Sequence, residues 1–309
     1  MSDWKPGDMP AQSGKTIIVT GGNSGLGFES VKALAGKGAT VILAARNAAK
    51  AEAAKEAIDA EAPSGTVVVM PLDLSSFASI RAFASAFDER FDRLDVLMNN
   101  AGVMAIASNS TQDGFEMQIG TNHFGHFLLT GLLLQKLLNT PSSRVVALTS
   151  IAANYARMRV DDLNFERRAY GRWGVYNQTK LANMLFVREL DRRLKKLGDS
   201  HTIAVAAHPG LSATNLQQGP ADGAGAFGRL LPGLLHQFCQ PQAQGAHPQL
   251  RAATEPGLVG DELFGPRDRM NMKGPAVKLD YPRTGRDMGK AAQLWTKSVE
   301  LTGEDFGGI

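Results

Sequence analysis

In the stretch WGVYNQTKLANMLF, residues 173–186, Tyr176 and Lys180 stand four positions apart inside an apolar run. On a helix this spacing puts both side chains on one face, about one turn from each other. A free tyrosine titrates near pH ~10 and is a reluctant proton carrier at neutral pH. A neighbouring ammonium favours the phenolate, so Lys180 is expected to draw the phenol toward the working range. Such a phenol can give a proton to a carbonyl oxygen while the carbon receives a hydride. The bland reading of the pair is an interfacial tyrosine beside a lysine whose stem lies along apolar surface.

A second group of residues could hold the hydride source. The first apolar run leads into TGGNSGLGFES, where Gly21, Gly25 and Gly27 precede a helical pattern and Asn23, Ser24 and Leu26 fill the turn. Glycine suits a tight turn in which phosphates approach bare backbone, and free N–H groups at a helix start attract anions. Arg46, in LAARN, lies nineteen positions beyond Gly27. That is where a dinucleotide-binding fold places the residue that reads the ribose. Arginine can grip a 2′-phosphate through two parallel hydrogen bonds, so Arg46 points to NADP. Asp73, followed by Leu74 in LDLSS, is placed to accept from an adenine amino group, and Asn99, Asn100, Ala101 and Gly102 form an NNAG run. There the asparagines can tie neighbouring strands and Gly102 can let the cofactor pass.

The elements that would position these residues follow from the hydrophobic pattern. Apolar runs at 15–20, 39–45, 66–72, 94–100, 144–150 and 202–210 alternate with helical patterns at 26–37, 47–61, 76–91, 112–139 and 175–198. Near-continuous Val/Ile strands are typical of parallel sheets covered on both faces. The order predicts an α/β fold, a Rossmann-type doubly wound parallel sheet in a single domain spanning 1–309. Ligands in such sheets sit beyond the carboxyl ends of the strands, which is where every motif falls. Residues 258–266 predict a last strand. The Gly-, Pro- and Gln-rich stretch at 211–245 predicts a substrate lid, with Phe227, Leu230, Leu231, Leu234 and Leu235 as its apolar face.

Composition narrows the function classes. The 33 Lys+Arg against 30 Asp+Glu leave only +3, and the basic residues are scattered, which argues against a nucleic-acid partner. Cys239 is the single cysteine, so no internal disulfide can form, and a reducing, cytoplasmic setting is expected. No metal site is expected, since His123 and His126 lack convergent acidic or cysteine ligands. The most apolar stretch, FGHFLLTGLLLQKLL, is interrupted by His126, Gln135 and Lys136 and is too short to cross a bilayer. The start of the chain shows no secretory pattern.

With T-G-x-x-x-G-x-G at 20–27, N-N-A-G at 99–102, Ser150 ending the fifth run, Y-x-x-x-K at 176–180 and P-G at 209–210, the sequence resembles the short-chain dehydrogenase/reductase family. AARN, TNHFGHFLLT, YNQTKLAN and HPG resemble its branch of retinol dehydrogenases and protochlorophyllide reductase-like enzymes. The resemblance implies a four-part catalytic site of Asn122, Ser150, Tyr176 and Lys180. Asn122 would bend its helix and hold a water near Lys180. Ser150 would steady the carbonyl oxygen, a role for which Thr149 competes. The resemblance also implies that Pro209, Gly210 and Thr214 flank the nicotinamide. Twenty-six positions separate Ser150 from Tyr176, with the stretch NYARMRVDDLNFERRAYGRWG between them.

The expected activity is NADP(H)-dependent interconversion of a small hydrophobic ketone or aldehyde with its alcohol, in a chain that could form a homo-oligomer. Reduction of an activated carbon–carbon double bond is the competing reaction. A dinucleotide sensor without turnover is the competing class, although the Tyr/Lys pair it would be expected to lose is present.

Overall fold

Six strands coincide with the six apolar runs: β1 (Thr16–Thr20), β2 (Thr40–Ala45), β3 (Thr66–Pro71), β4 (Val96–Asn99), β5 (Arg144–Leu148) and β6 (Ile203–Ala207). The computed structural model describes residues 3–198, 201–212 and 240–309, and among these β7 (Leu263–Asp268) and β8 (Lys273–Leu279) complete an eight-stranded sheet. Its order is β3-β2-β1-β4-β5-β6-β7-β8. All pairs are parallel except β7 with β8. The chain reverses direction across the sheet between β1 and β4, which opens the crevice where ligands of such folds bind.

Helices α1 (Gly25–Gly36), α2 (Ala48–Asp59) and α3 (Phe77–Arg90) follow the first three strands. Where the pattern predicts one helix across 112–139, the chain forms α4 (Met117–Ile119), a π turn (Gly120–Phe124), α5 (Gly125–Leu132) and α6 (Leu134–Leu138). The long α7 (Arg172–Leu194) packs on β5 and β6, and α8 (Gln242–Gly245), α9 (His247–Thr254) and α10 (Met288–Thr302) follow.

Successive strand residues feed two separate cores, as the two-residue period of a strand requires. Ile18, Ile42, Leu97, Val145 and Ala204 face α3, α5, α7 and α10 through Phe87, Phe127, Leu185 and Trp295. Ile17, Val19, Leu43, Val96 and Val205 face α1, α2 and α9 through Val31, Leu34, Ile58 and Leu250. Truncating a buried ring such as Phe127 to Ala would cost about 3–5 kcal/mol.

The last strand expected at 258–266 begins only at Leu263, and β8 follows it as an antiparallel edge strand. Gly274 and Pro275 hide β8 in the sequence, yet proline is tolerated on an edge where its nitrogen meets no partner strand. The hairpin has a local purpose. Leu211 donates its backbone N–H to Met272 O at 2.7 Å, so the turn between β7 and β8 buttresses the loop that leaves β6. Gln240 closes the same corner through its own N–H to Leu211 O at 2.8 Å and its amide to Pro209 O at 2.6 Å. The expected lid lies mostly at 213–239, outside the described residues, together with Thr214, Phe227, Leu230, Leu231, Leu234, Leu235 and Cys239.

Candidate active site

At the carboxyl ends of the strands lies a cavity of about 650 Å³. Gly21, Asn23, Ser24, Gly25, Leu26, Gly27, Arg46, Asp73, Leu74, Asn100, Ala101, Gly102, Ser150, Tyr176, Lys180, Pro209 and Gly210 all line it. Of the expected site residues, only Asn122 stands behind the wall and Thr214 falls outside the described residues.

On the β1–β3 side the lining is mostly backbone. Gly21 and Gly25 sit at φ +67° and +57°, a region that L side chains rarely adopt. Gly27 is required for space, because a Cβ there would run into the Gly21 carbonyl and lie 2.7 Å from Asn100 Nδ2. The first turn of α1 is open: Ser24 is its N-cap but its side chain makes no capping hydrogen bond. By contrast, Asn47 caps α2 and Ser76 caps α3 through their side chains. An uncapped helix start facing a glycine cradle has the donors and dipole that a pyrophosphate needs, so these residues fit a dinucleotide. Arg46 is exposed at the rim and makes no hydrogen bond or ion pair among the described residues. Asp73 Oδ1 accepts from the backbone and hydroxyl of Ser75, at 3.0 and 2.7 Å.

Asn100 ties strands as expected, donating from Nδ2 to Thr20 O at 2.7 Å. Its backbone N–H and that of Ala101 both donate to the Thr20 hydroxyl at 2.9 Å. Asn99 points the other way, into the α5 side, where it donates to Thr130 Oγ1 at 3.0 Å. A Cβ on Gly102 would lie 3.1 Å from Asn122 Oδ1 and 3.6 Å from Lys180 Nζ, so bare backbone here opens the floor of the cavity toward the reactive groups.

On the β5–α7 side the lining is made of buried side chains. Lys180 donates to Leu148 O at 3.3 Å and Asn183 donates to the same carbonyl at 3.0 Å. Thr149 donates to Lys180 O at 2.7 Å, which commits its hydroxyl to anchoring α7 and leaves Ser150 as the hydroxyl beside Tyr176. Asn122, in the π turn, accepts from Val103 N at 2.8 Å and donates to Val103 O at 2.9 Å and Thr179 Oγ1 at 3.0 Å. Thr179 in turn donates to Tyr176 O at 2.8 Å. Asn122 thus clamps the loop after β4 against the turn of helix that carries Tyr176.

Tyr176 and Lys180 are 7% and 6% exposed, and burial dominates both titrations. Desolvation pushes Tyr176 up to about 12, with a hydrogen bond to Ser150 acting the other way. Desolvation also brings Lys180 down to about 8. The net shift is thus upward rather than toward the working range, because burial outweighs the pull of the neighbouring ammonium. The Lys180 ammonium lies over the ring, 5.7 Å from the centroid, and spends a donor on Leu148 O. Tyr176 is consequently a neutral phenol near pH 7.

The family model described as short chain dehydrogenase matches residues 15–223. The chain belongs to the short-chain dehydrogenase family. Retinol dehydrogenase 13 of Homo sapiens is 39% identical over 293 residues, which cover 94% of this chain and 85% of that protein. Retinol dehydrogenase 12 of Mus musculus is 38% identical over 292 residues, covering 94% and 87%. A solved structure of an uncharacterized protein from Mycobacterium paratuberculosis superposes with a TM-score of 0.82 at 40% identity, covering 99% of both chains. These relatives place this short-chain dehydrogenase in the retinol dehydrogenase-like branch.

In this short-chain dehydrogenase the stretch between Ser150 and Tyr176 is an ordered wall. Arg168 pairs with Asp162 at 2.8 Å and reaches Gln178 of α7 at 3.2 Å. Tyr170 shares its one hydroxyl proton between Glu116 Oε1 and Ile106 O, both at 3.1 Å, and Gln118 bridges to Tyr170 and Arg172. Behind that brace, Met104, Met117, Ile151, Ala152 and Trp173 line the cavity. Trp173 is 57% exposed and meets the Tyr176 ring edge-on, with centroids 6.2 Å apart. Sequence reasoning missed this wall, although Trp173 stands three positions before Tyr176 and so on its helix face. It also missed Gln249 of α9, whose amide reaches Ser30 Oγ at 2.7 Å and Asn100 Oδ1 at 3.2 Å.

His123 bonds Ser298 at 2.8 Å, whereas His126 bonds Thr20 at 2.9 Å. The two imidazoles therefore serve different neighbours. His208 accepts from Gly210 N at 3.2 Å and so shapes the Pro209–Gly210 turn. Among the described residues no helix is long and apolar enough to cross a membrane.

Proposed function

We propose that this short-chain dehydrogenase is an NADP(H)-dependent carbonyl reductase and alcohol dehydrogenase acting on a small hydrophobic ketone, aldehyde or alcohol. The observation that carries the reading is the meeting of a buried neutral phenol, Tyr176, with Ser150 and Lys180 at one end of a cavity whose other end is an uncapped glycine cradle. Bound there, the dinucleotide would supply a hydride to the carbonyl carbon. Gly21, Gly25 and Gly27 would hold its pyrophosphate, and Arg46 the 2′-phosphate that distinguishes NADP from NAD.

The protein's own part is to fix the carbonyl and deliver the proton. Ser150 and Tyr176 present two hydroxyls to one oxygen, which orients it and stabilises the charge it gains. A phenol pushed up to about 12 by burial keeps its proton near pH 7 until that oxygen becomes a strong base, which suits reduction. Lys180, still mostly protonated near pH 7 with a pKa of about 8, supplies positive charge beside the ring. Met104, Met117, Ile151 and Trp173 support an apolar substrate body. The relatives' name, retinol dehydrogenase, supports an alcohol and its carbonyl as the substrate pair.

A panel of aliphatic, aromatic and polyene aldehydes and ketones, followed by NADPH and by NADH absorbance, tests the reading. NADPH-driven reduction of apolar carbonyls with weak NADH activity is expected. Tight dinucleotide binding with no turnover across the panel would instead fit a sensor and defeat the proposal.

A further inference from the structure

His126, on the first turn of α5, is buried and touches neither the cavity nor the solvent, yet it joins the two halves of the site. Its Nδ1 lies 3.0 Å from the backbone carbonyl of Asn122, the residue that clamps Val103 and Thr179. Its Nε2 lies 2.9 Å from Thr20 Oγ1, the atom that receives the Asn100 and Ala101 N–H groups at the floor of the cavity. A carbonyl oxygen can only accept, so the Nδ1 side must carry the proton. The imidazole is neutral, because burial brings its pKa down to about 4 with Lys180 adding repulsion, so Nε2 is bare and accepts from Thr20. Every hydrogen-bonding group is then used. Thr20 receives two N–H groups and gives its one proton to His126 at 2.9 Å rather than to Met98 O at 3.3 Å, since that carbonyl already accepts from Asn100 N, and no buried polar atom of the imidazole is left without a partner.

We propose that His126 is a positioning residue locked in its Nδ1–H tautomer, which sets the Thr20 hydroxyl that holds the dinucleotide-facing Asn100–Ala101 backbone and, separately, the π turn that holds Asn122 against the Tyr176 helix. The inference rests on the proposed function for its cofactor-affinity and turnover arms. Its tautomer arm is independent of that function. Its two bonds belong to two nitrogens, so two amides can imitate them one at a time. The amide of Asn at 126 overlays the Nδ1 position, and the amide of Gln overlays the Nε2 position.

The test measures NADPH dissociation constant, kcat for an accepted carbonyl and melting temperature in His126→Asn, His126→Gln and His126→Phe. Each broken bond leaves a buried group unpaired, an effect of roughly fivefold to hundredfold. His126→Gln is expected to keep NADPH affinity and lose kcat, and His126→Asn to keep kcat and lose NADPH affinity. His126→Phe, if it folds, loses both. In the unliganded wild type, nitrogen-15 shifts of the His126 ring should show Nδ1 protonated and Nε2 bare throughout the neutral range. An Nε2–H tautomer overturns the inference whatever the enzyme's activity. Equal losses of affinity and kcat in the Asn and Gln variants, tracking melting temperature, would reduce His126 to a packing residue and overturn it too. If the wild type shows the expected tautomer but binds no dinucleotide, the affinity and turnover arms fall with the proposed function itself.

Discussion

The two ends of the cavity are built from different materials. At the β1–β3 end, glycines and an uncapped helix start expose backbone N–H groups, and the main side-chain charge, Arg46, stands in solvent. At the β5–α7 end, the chain buries a phenol and an amine and lets desolvation move both pKa values, one up to about 12 and the other down to about 8. Binding a large anion needs many fixed donors and little rearrangement, which backbone supplies. Moving one proton needs a single group whose acidity is set by its surroundings, which burial supplies. The difference implies separable damage: changes at one end should alter cofactor affinity, and changes at the other should alter turnover.

The sharpest separation is expected from Tyr176→Phe, which keeps the ring and its contact with Trp173. Carbonyl reduction should fall by roughly 10² or more, the usual worth of a positioned acid, with NADPH affinity within about twofold of wild type. Steady-state kinetics beside calorimetric NADPH titration would check it, and a wild-type rate in a hydride-limited assay would remove Tyr176 from the mechanism. Gly27→Val tests the other end. Its side chain must displace the Gly21 carbonyl, so dinucleotide binding should weaken more than tenfold, and stability should drop by about 1–3 kcal/mol through overpacking. Unchanged affinity would show that the cradle is not where the pyrophosphate sits.

Arg46→Ala should weaken NADPH by roughly tenfold to a hundredfold through loss of a charge-assisted contact, and leave NADH nearly unaffected. Equal loss for both cofactors would make Arg46 a general electrostatic contributor and withdraw the main support for NADP. The smallest effect is expected from Trp173→Ala. KM for bulky apolar carbonyls should rise a few-fold while short aliphatic ones change little, since the ring offers contact area and no reacting atom. A uniform fall in kcat for all substrates would mean instead that Trp173 steadies Tyr176.

Much of this division was legible in the sequence because its causes are local. A positive φ at Gly21 and Gly25, or two side chains four positions apart on a helix, leaves a mark within a few residues. The unread features join distant residues: Thr20 to His126 across 106 positions, and Ser30 to Gln249 across 219. The β8 strand is hidden in the sequence because its Gly274–Pro275 pair argues against a strand until the sheet edge excuses it. The direction of the Tyr176 shift is not legible for a related reason: spacing shows which charge is near, but only the fold shows how much water has been removed from both groups.

The most direct test of the account is the titration of Tyr176 itself, by carbon-13 resonances of ring-labelled tyrosine in the unliganded protein, with Tyr176→Phe identifying the signal. Burial disfavours the phenolate, so in the folded chain Tyr176 should remain protonated past the ~10 of a free tyrosine and should begin to ionise only as the pH approaches about 12. A Tyr176 that ionises at or below the ~10 of a free tyrosine would contradict the claim that desolvation, rather than the Lys180 charge, sets the acid of this site.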